Sequence, residues 1–163
     1  MKKLLLILLL IIPFVGFGQI NTTTTKYVIP EDKSLGNSWY RFTVEEKTKD
    51  NEKYYYVTFQ NNEYQELIDM KIIGFYSFNE LEEFITDLDQ LCNYGKLKED
   101  QDIDIRKPKY LIQRNGGKSY SQKNDVYIWR LDENGNLDGY TTFVIKSFNK
   151  KIKRFFNDYK NNL

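Results

Sequence analysis

The stretch SFNELEEFITDLDQLCNYG, residues 77–95, decides how the rest of the chain is read. Ser77 and Glu80 form an S-x-x-E capping box, a pattern that satisfies orphan amides at a helix start. Leu81, Phe84, Ile85, Leu88, Leu91 and Cys92 follow at steps of three and four, so they share one face of a helix. Gly95 supplies a candidate left-handed stop. A second stretch, SFNKKIKRFFNDYKNN at 147–162, opens with the same tripeptide. Phe148, Ile152, Phe155, Phe156 and Tyr159 form its stripe, and Ser147 is the expected N-cap.

Working upstream from each helix, the same order recurs. YYYVTF (54–59), a polar turn and IDMKIIGFY (68–76) precede the first helix. VYIWRL (126–131), the turn DENGNLD and GYTTFVIK (139–146) precede the second. Alternation of apolar and polar residues suits strands in each case. SWYRFTVE (38–45) and KYLIQR (109–114) add one further strand to each copy. The pattern predicts an α+β fold of two layers, an antiparallel sheet of about six strands with two helices on one face. It also predicts an internal βββα duplication, with repeats at 38–93 and 109–162. A curved half-barrel wrapped on a helix is the alternative. Residues 93–108 read as the linker between the copies, and KYVIP at 26–30 as an added edge strand.

The N-terminus has the form of a secretory signal. Lys2 and Lys3 precede fourteen apolar residues, Leu4 to Phe17, and Gly16 and Gly18 place small residues before Gln19. A membrane-spanning helix needs about 20 apolar residues, so the run is short for a stable anchor. The expected organisation is a cleaved signal at 1–18, a polar leader at 19–37 and one α+β domain at 38–163. The expected location is outside the cytoplasm, periplasmic or extracellular. Richness in Lys, Asn, Ile and Tyr suggests an AT-rich bacterial genome.

Composition narrows the chemistry. The chain has no His, which removes the commonest general base near neutral pH and every Ser-His or Cys-His site. A single Cys excludes an intramolecular disulfide, and Cys92 falls on the apolar face of the first helix. Loss of residues 1–18 takes Lys2 and Lys3 away, leaving 22 basic against 23 acidic residues. That balance argues against nucleic acid, whose recognition needs a clustered basic surplus.

Three segments carry residue types that could do chemistry. DENGNLDG (132–139) spaces Asp132, Asn134, Asn136 and Asp138 as calcium ligands are spaced, but Asn-Gly between alternating runs reads better as a hairpin turn. KEDQDIDIR (98–106) gathers four acids, which reads as a solvated linker. RNGGKSYS (114–121) lacks the strand-to-helix context of a phosphate loop and reads as a hairpin loop. No catalytic residue, metal site or cofactor is expected.

The expected ligand surface is the sheet face away from the helices. Tyr40, Phe42 and Val44 on one strand, Tyr55, Val57 and Phe59 on the next, and Tyr127, Trp129 and Leu131 on a third would point inward. Trp39, Arg41, Tyr54, Tyr56, Arg130 and Tyr140 would then point outward, and Trp, Tyr and Arg are the types enriched at binding hot spots. Ile68, Met70 and Ile72 oppose Ile73 and Phe75 in parity, which leaves the face of that strand open. The two helices carry opposite outer charge: Glu80, Glu82, Glu83, Asp87 and Asp89 against Lys150, Lys151, Lys153, Arg154 and Lys160. They could pair with one another, or the basic C-terminal helix could meet an anionic partner. The functional expectation is a small exported bacterial binding protein without catalytic activity, whose partner is a protein or an envelope glycan. The alternative is a His-free hydrolase using paired carboxylates.

Overall fold

In the computed structural model, residues 23–31, 41–64, 68–99, 101–116 and 125–163 are described. The signal segment, Trp39, Tyr40 and most of the 114–121 loop lie outside these residues. Ser77 sits in extended backbone, and its hydroxyl accepts the Glu80 amide at 3.2 Å. The Glu80 carboxylate reaches back to the Tyr76 amide at 3.3 Å. This reciprocal cap starts helix α1, Phe78–Asn93. The whole expected stripe, from Leu81 to Cys92, is buried. Gly95 does not end the helix in a left-handed turn. Tyr94 leaves helical geometry at ψ 136° instead, and the guanidinium of Arg114 takes the carbonyls of Leu91 and Tyr94. A buried cation at the C-terminal end of α1 thus does the work expected of a glycine.

Among the described residues eight strands form, not six, and they make two sheets. β1 (Thr24–Ile29), β2 (Phe42–Lys49), β3 (Glu52–Gln60) and β4 (Met70–Phe75) are antiparallel neighbours in that order. After α1 come β5 (Asp102–Arg106), β6 (Tyr110–Asn115), β7 (Asp125–Leu131) and β8 (Leu137–Val144), again in order. The segment read as a linker therefore contains a strand. Its Ile103 and Ile105 alternate with Asp102, Asp104 and Arg106, so one side packs on the core while the other carries charge to water. Between β2 and β3, Asp50 and Asn51 both take positive φ, 53° and 65°, as a two-residue hairpin turn requires.

Helix α2 spans Ile145–Lys160 and follows β8 without a break. Ser147 is thus inside the helix and is not its cap, so the two Ser-Phe-Asn tripeptides are not equivalent. The first sheet spends Tyr76 and Ser77 on a turn before its helix; the second spends nothing.

One core joins both sheets and both helices. It runs from Val28, Ile29, Val44 and Phe59 through Phe84 and Leu88 to Ile112, Ile128, Phe143, Ile152 and Phe156. The helices lie antiparallel: Glu82 pairs with Lys160, and Asp89 with Lys153 at 3.1 Å. Each helix also reaches the sheet of the other half. On α1, Asp87 accepts the Tyr110 hydroxyl of β6 at 2.8 Å. Tyr159 of α2 donates its hydroxyl to Glu46 of β2.

The sheets meet at a polar seam. The Asn62 amide donates to the Tyr140 carbonyl at 2.7 Å, and the Tyr140 amide to Asn61 Oδ1 at 3.1 Å. This seam satisfies backbone groups at the edge of β8 that a ninth strand would otherwise meet. Asp138 of β8 closes it: its carboxylate holds Lys71 of β4 at 2.9 Å and also pairs with Arg130.

Candidate functional site

Cross-strand partners share a sheet face, so the register lays out the outer surface of the first sheet row by row. Tyr27, Glu45, Tyr56 and Gly74 form one row. Thr43, Thr58 and Ile72 form the next. Thr25, Lys47 and Tyr54 lie on the other side, with Tyr76 against Tyr54 at 6.4 Å between ring centroids. Tyr27, Ile72 and Tyr76 are 57%, 50% and 73% exposed. The Tyr56 ring packs beside Gly74, its atoms an ordinary 3.7 Å from where a Cβ would stand. The Lys47 ammonium lies 5.1 Å above that ring, a cation–π contact that holds its orientation. Thus Tyr54 and Tyr56 do stand outward together, and the inward set is Tyr55, Val57 and Phe59. Ile73 and Phe75 point inward on β4, which leaves Ile72 outside.

The other expected site residues do not all join them. Arg41 is exposed just before β2 and reaches Glu31 at 3.7 Å. Trp39 lies outside the described residues. Tyr140 stands on the outer face of the second sheet, not the first. Arg130 was expected outward but lies opposite Tyr110 in the β6–β7 register, on the core side, and its guanidinium swings to Asp138.

On β7 the expected parity is reversed. Val126 and Ile128 are buried, whereas Tyr127 and Trp129 are only half-buried and flank Tyr140 at 6.0 and 4.4 Å. A register shift between Trp129 and Leu131 lets Leu131 turn in as well. Val126 and Ile128 share their parity with Arg130, so alternation favours the wholly apolar set Tyr127, Trp129 and Leu131 as the inward one. The pairing with Ile112 chose Ile128. The second sheet therefore carries its own outer aromatic group of Tyr127, Trp129 and Tyr140, two of which the periodicity had assigned to the core.

A separate concavity of about 190 Å³ opens between α1 and the β5–β6 turn. Phe75, Pro108 and Tyr110 form its floor and Glu80, Glu83, Lys107 and Lys109 its rim. Lys109 donates to Glu80 at 2.9 Å and Lys107 to Glu83 at 2.5 Å. The Lys109 hydrogen bond, joined by that of the Tyr76 amide, holds the Glu80 carboxyl below its usual range despite some desolvation. A general acid needs the opposite shift. Asp125 is pushed up by burial, but its cross-strand neighbour is Val144 and not a second carboxylate.

The remaining motifs resolve as local structure. Asp132 accepts the amides of Asn134 at 2.9 Å and Asn136 at 2.8 Å, and Gly135 takes φ 78°, so the Asn-Gly segment is a turn whose first carboxylate is occupied by backbone. Among the described residues, no group of three or more acids or Cys is placed to hold a metal ion. No helix among them is long and apolar enough to cross a membrane. Neither a protein-family model nor a curated protein matches the chain.

Proposed function

We infer that the chain is an exported bacterial binding protein without catalytic activity, and that it engages its partner through the outer face of the first sheet. The observation that carries this reading is the gathering of Tyr27, Tyr54, Tyr56, Tyr76 and Ile72 on one face of β1–β4 and its margin. Tyrosines offer rigid, flat contact area with a hydroxyl at the tip, which suits a protein surface or the face of an envelope sugar. The signal-like N-terminus supports export, and the ββββα order repeated along the chain supports descent from a duplicated unit. An anionic partner on α2 is the weaker reading, because Lys153 and Lys160 are already neutralised by Asp89 and Glu82 of α1. The hydrolase alternative has even less to rest on, since Glu80 and Glu83 are each held by a lysine.

The test is capture from envelope extract and on a glycan array, with Tyr54→Ala/Tyr56→Ala beside the parent protein. Loss of the captured partner at unchanged thermal stability is the expected result. Equal capture by the folded double variant refutes the tyrosine face as the contact surface.

A further inference from the structure

The concavity beside α1 has a composition that the sheet face does not. Its floor of Phe75, Pro108 and Tyr110 is apolar, and its rim alternates Glu80, Lys109, Glu83 and Lys107. At about 190 Å³ it falls below the roughly 300–1,000 Å³ typical of small-molecule and cofactor sites. A void of that size takes one large side chain.

The rim says what should flank that side chain. Lys109 and Lys107 each hold a carboxylate, yet an ammonium has three donors and a carboxylate about four lone-pair sites. Both pairs are partly open to solvent. A neutral peptide group can therefore accept from a lysine and donate to a glutamate without breaking either pair. A zwitterion would have to compete with them for the same charges. Lys109 is further held in place over the Tyr76 ring, 4.3 Å from its centroid.

We propose that this concavity is an anchor pocket for a partner polypeptide, taking one leucine- or phenylalanine-sized side chain whose flanking peptide groups bond the Lys107–Glu83 and Lys109–Glu80 pairs. Anchors of this kind, one side chain in a desolvated pocket with a polar rim, carry a large share of interface energy. The pocket adjoins Tyr76 and through it Tyr54, so residues next to the anchor would run onto the exposed tyrosines. The inference goes beyond the sheet-face reading, because the pocket could fill whether or not that face binds anything.

Titration of the isotopically labelled protein with N-acetyl-phenylalaninamide and N-acetyl-leucinamide, read by amide chemical shifts, tests it. Saturable shifts are expected at Glu80, Glu83, Lys107, Lys109 and Tyr110. The dissociation constant should be on the order of 1–20 mM, as befits a fragment this small. N-acetyl-glycinamide should leave these resonances unmoved. Lys107→Ala/Lys109→Ala, both at partly exposed positions, should weaken binding at least about fivefold with the folded spectrum retained. Any of these results would overturn the proposal: no saturation, equal shifts from the glycinamide, unchanged affinity in the folded double variant, or tighter binding by free phenylalanine than by its blocked amide. Shifts confined to Tyr27, Tyr56 and Ile72 would also overturn it, and would leave the sheet-face reading standing.

Discussion

The hydroxyl of Tyr159, near the end of α2, donates to the carboxylate of Glu46 on β2, across 113 residues of chain. Glu46 is buried on the core side of its strand, where alternation would place an apolar residue. Tyr55 donates to the same carboxylate at 3.1 Å, Lys53 stands 3.3 Å away, and Lys26 lies over the Tyr159 ring. The last turn of the second half is thereby tied to the first sheet.

That relationship has a pH signature. Burial by itself would raise the Glu46 carboxyl, but the donors Tyr159, Lys53 and Tyr55 outweigh it and hold it below its ordinary value of 4.5. A carboxyl depressed in the folded state stabilises above its unfolded value, and the contribution is lost as pH falls through the folded one. Urea unfolding should therefore show Glu46 contributing a constant increment from pH 7 to 5 and a shrinking one below 4.5. Glu46→Gln should flatten that acid limb. Tyr159→Phe should cost roughly 1–3 kcal/mol at pH 7; a cost under about 0.5 kcal/mol would mean the hydroxyl contributes little.

Two glycines, one in each sheet, should respond differently to alanine. Gly139 takes φ 85°, and a Cβ there would stand 2.8 Å from Lys71 Cε and 2.9 Å from the Asn61 side chain at the seam between the sheets. Gly139→Ala should lower stability by about 1–3 kcal/mol or more, since strain and collision add. A Cβ on Gly74 would meet only the Tyr56 ring, at an ordinary 3.7 Å. Gly74→Ala should change stability by less than about 0.5 kcal/mol. Similar losses at both positions in thermal melts would count against the seam.

The helical phenylalanines are also unequal. Phe84 is fully buried, against Tyr110 at 5.0 Å and Phe75 at 5.6 Å. Phe84→Ala should cost about 3–5 kcal/mol in chemical denaturation. Phe155 is only partly buried, whereas Phe156 next to it lies in the core and stacks on Phe78. Phe155→Ala should cost under about 2 kcal/mol, and Phe156→Ala more than Phe155→Ala.

Cys92 offers a chemical probe of the same core. Burial, with a smaller push from Asp89, raises its thiol to about 12. The thiolate is the reactive form, so a disulfide reagent at pH 8 should label the native protein at least about 100-fold more slowly than the unfolded chain. Rapid stoichiometric labelling of folded protein would show that the α1 face is open.

Much of this architecture can be read directly along the chain. The S-x-x-E cap and the stripe from Leu81 to Cys92 place α1 without reference to anything distant, because both are local: a cap closes within one turn, and helical period repeats within two. The inward sets of β2 and β3, and therefore the outward pair Tyr54 and Tyr56, follow from clean alternation. The Asn134–Gly135 turn is equally local, since within it only Gly135 takes a positive φ. Where local pattern is ambiguous, tertiary contact made the choice. In VYIWRL the charge of Arg130 argues for its whole parity facing outward, yet pairing with Ile112 turned Ile128 inward and left Trp129 beside Tyr140. DIDIR looks like a charged linker until α1 and β6 supply a surface for Ile103 and Ile105. How the two sheets meet could not be read either. It depends on Asn61 and Asn62 meeting the edge of β8 almost eighty residues later, and no periodicity records which distant edge a polar loop will satisfy. The same holds for Arg114 at the end of α1 and Tyr159 at Glu46. Hydrophobic period states that a residue is buried, but the partner that makes a buried charge tolerable exists only once the two halves have closed on each other.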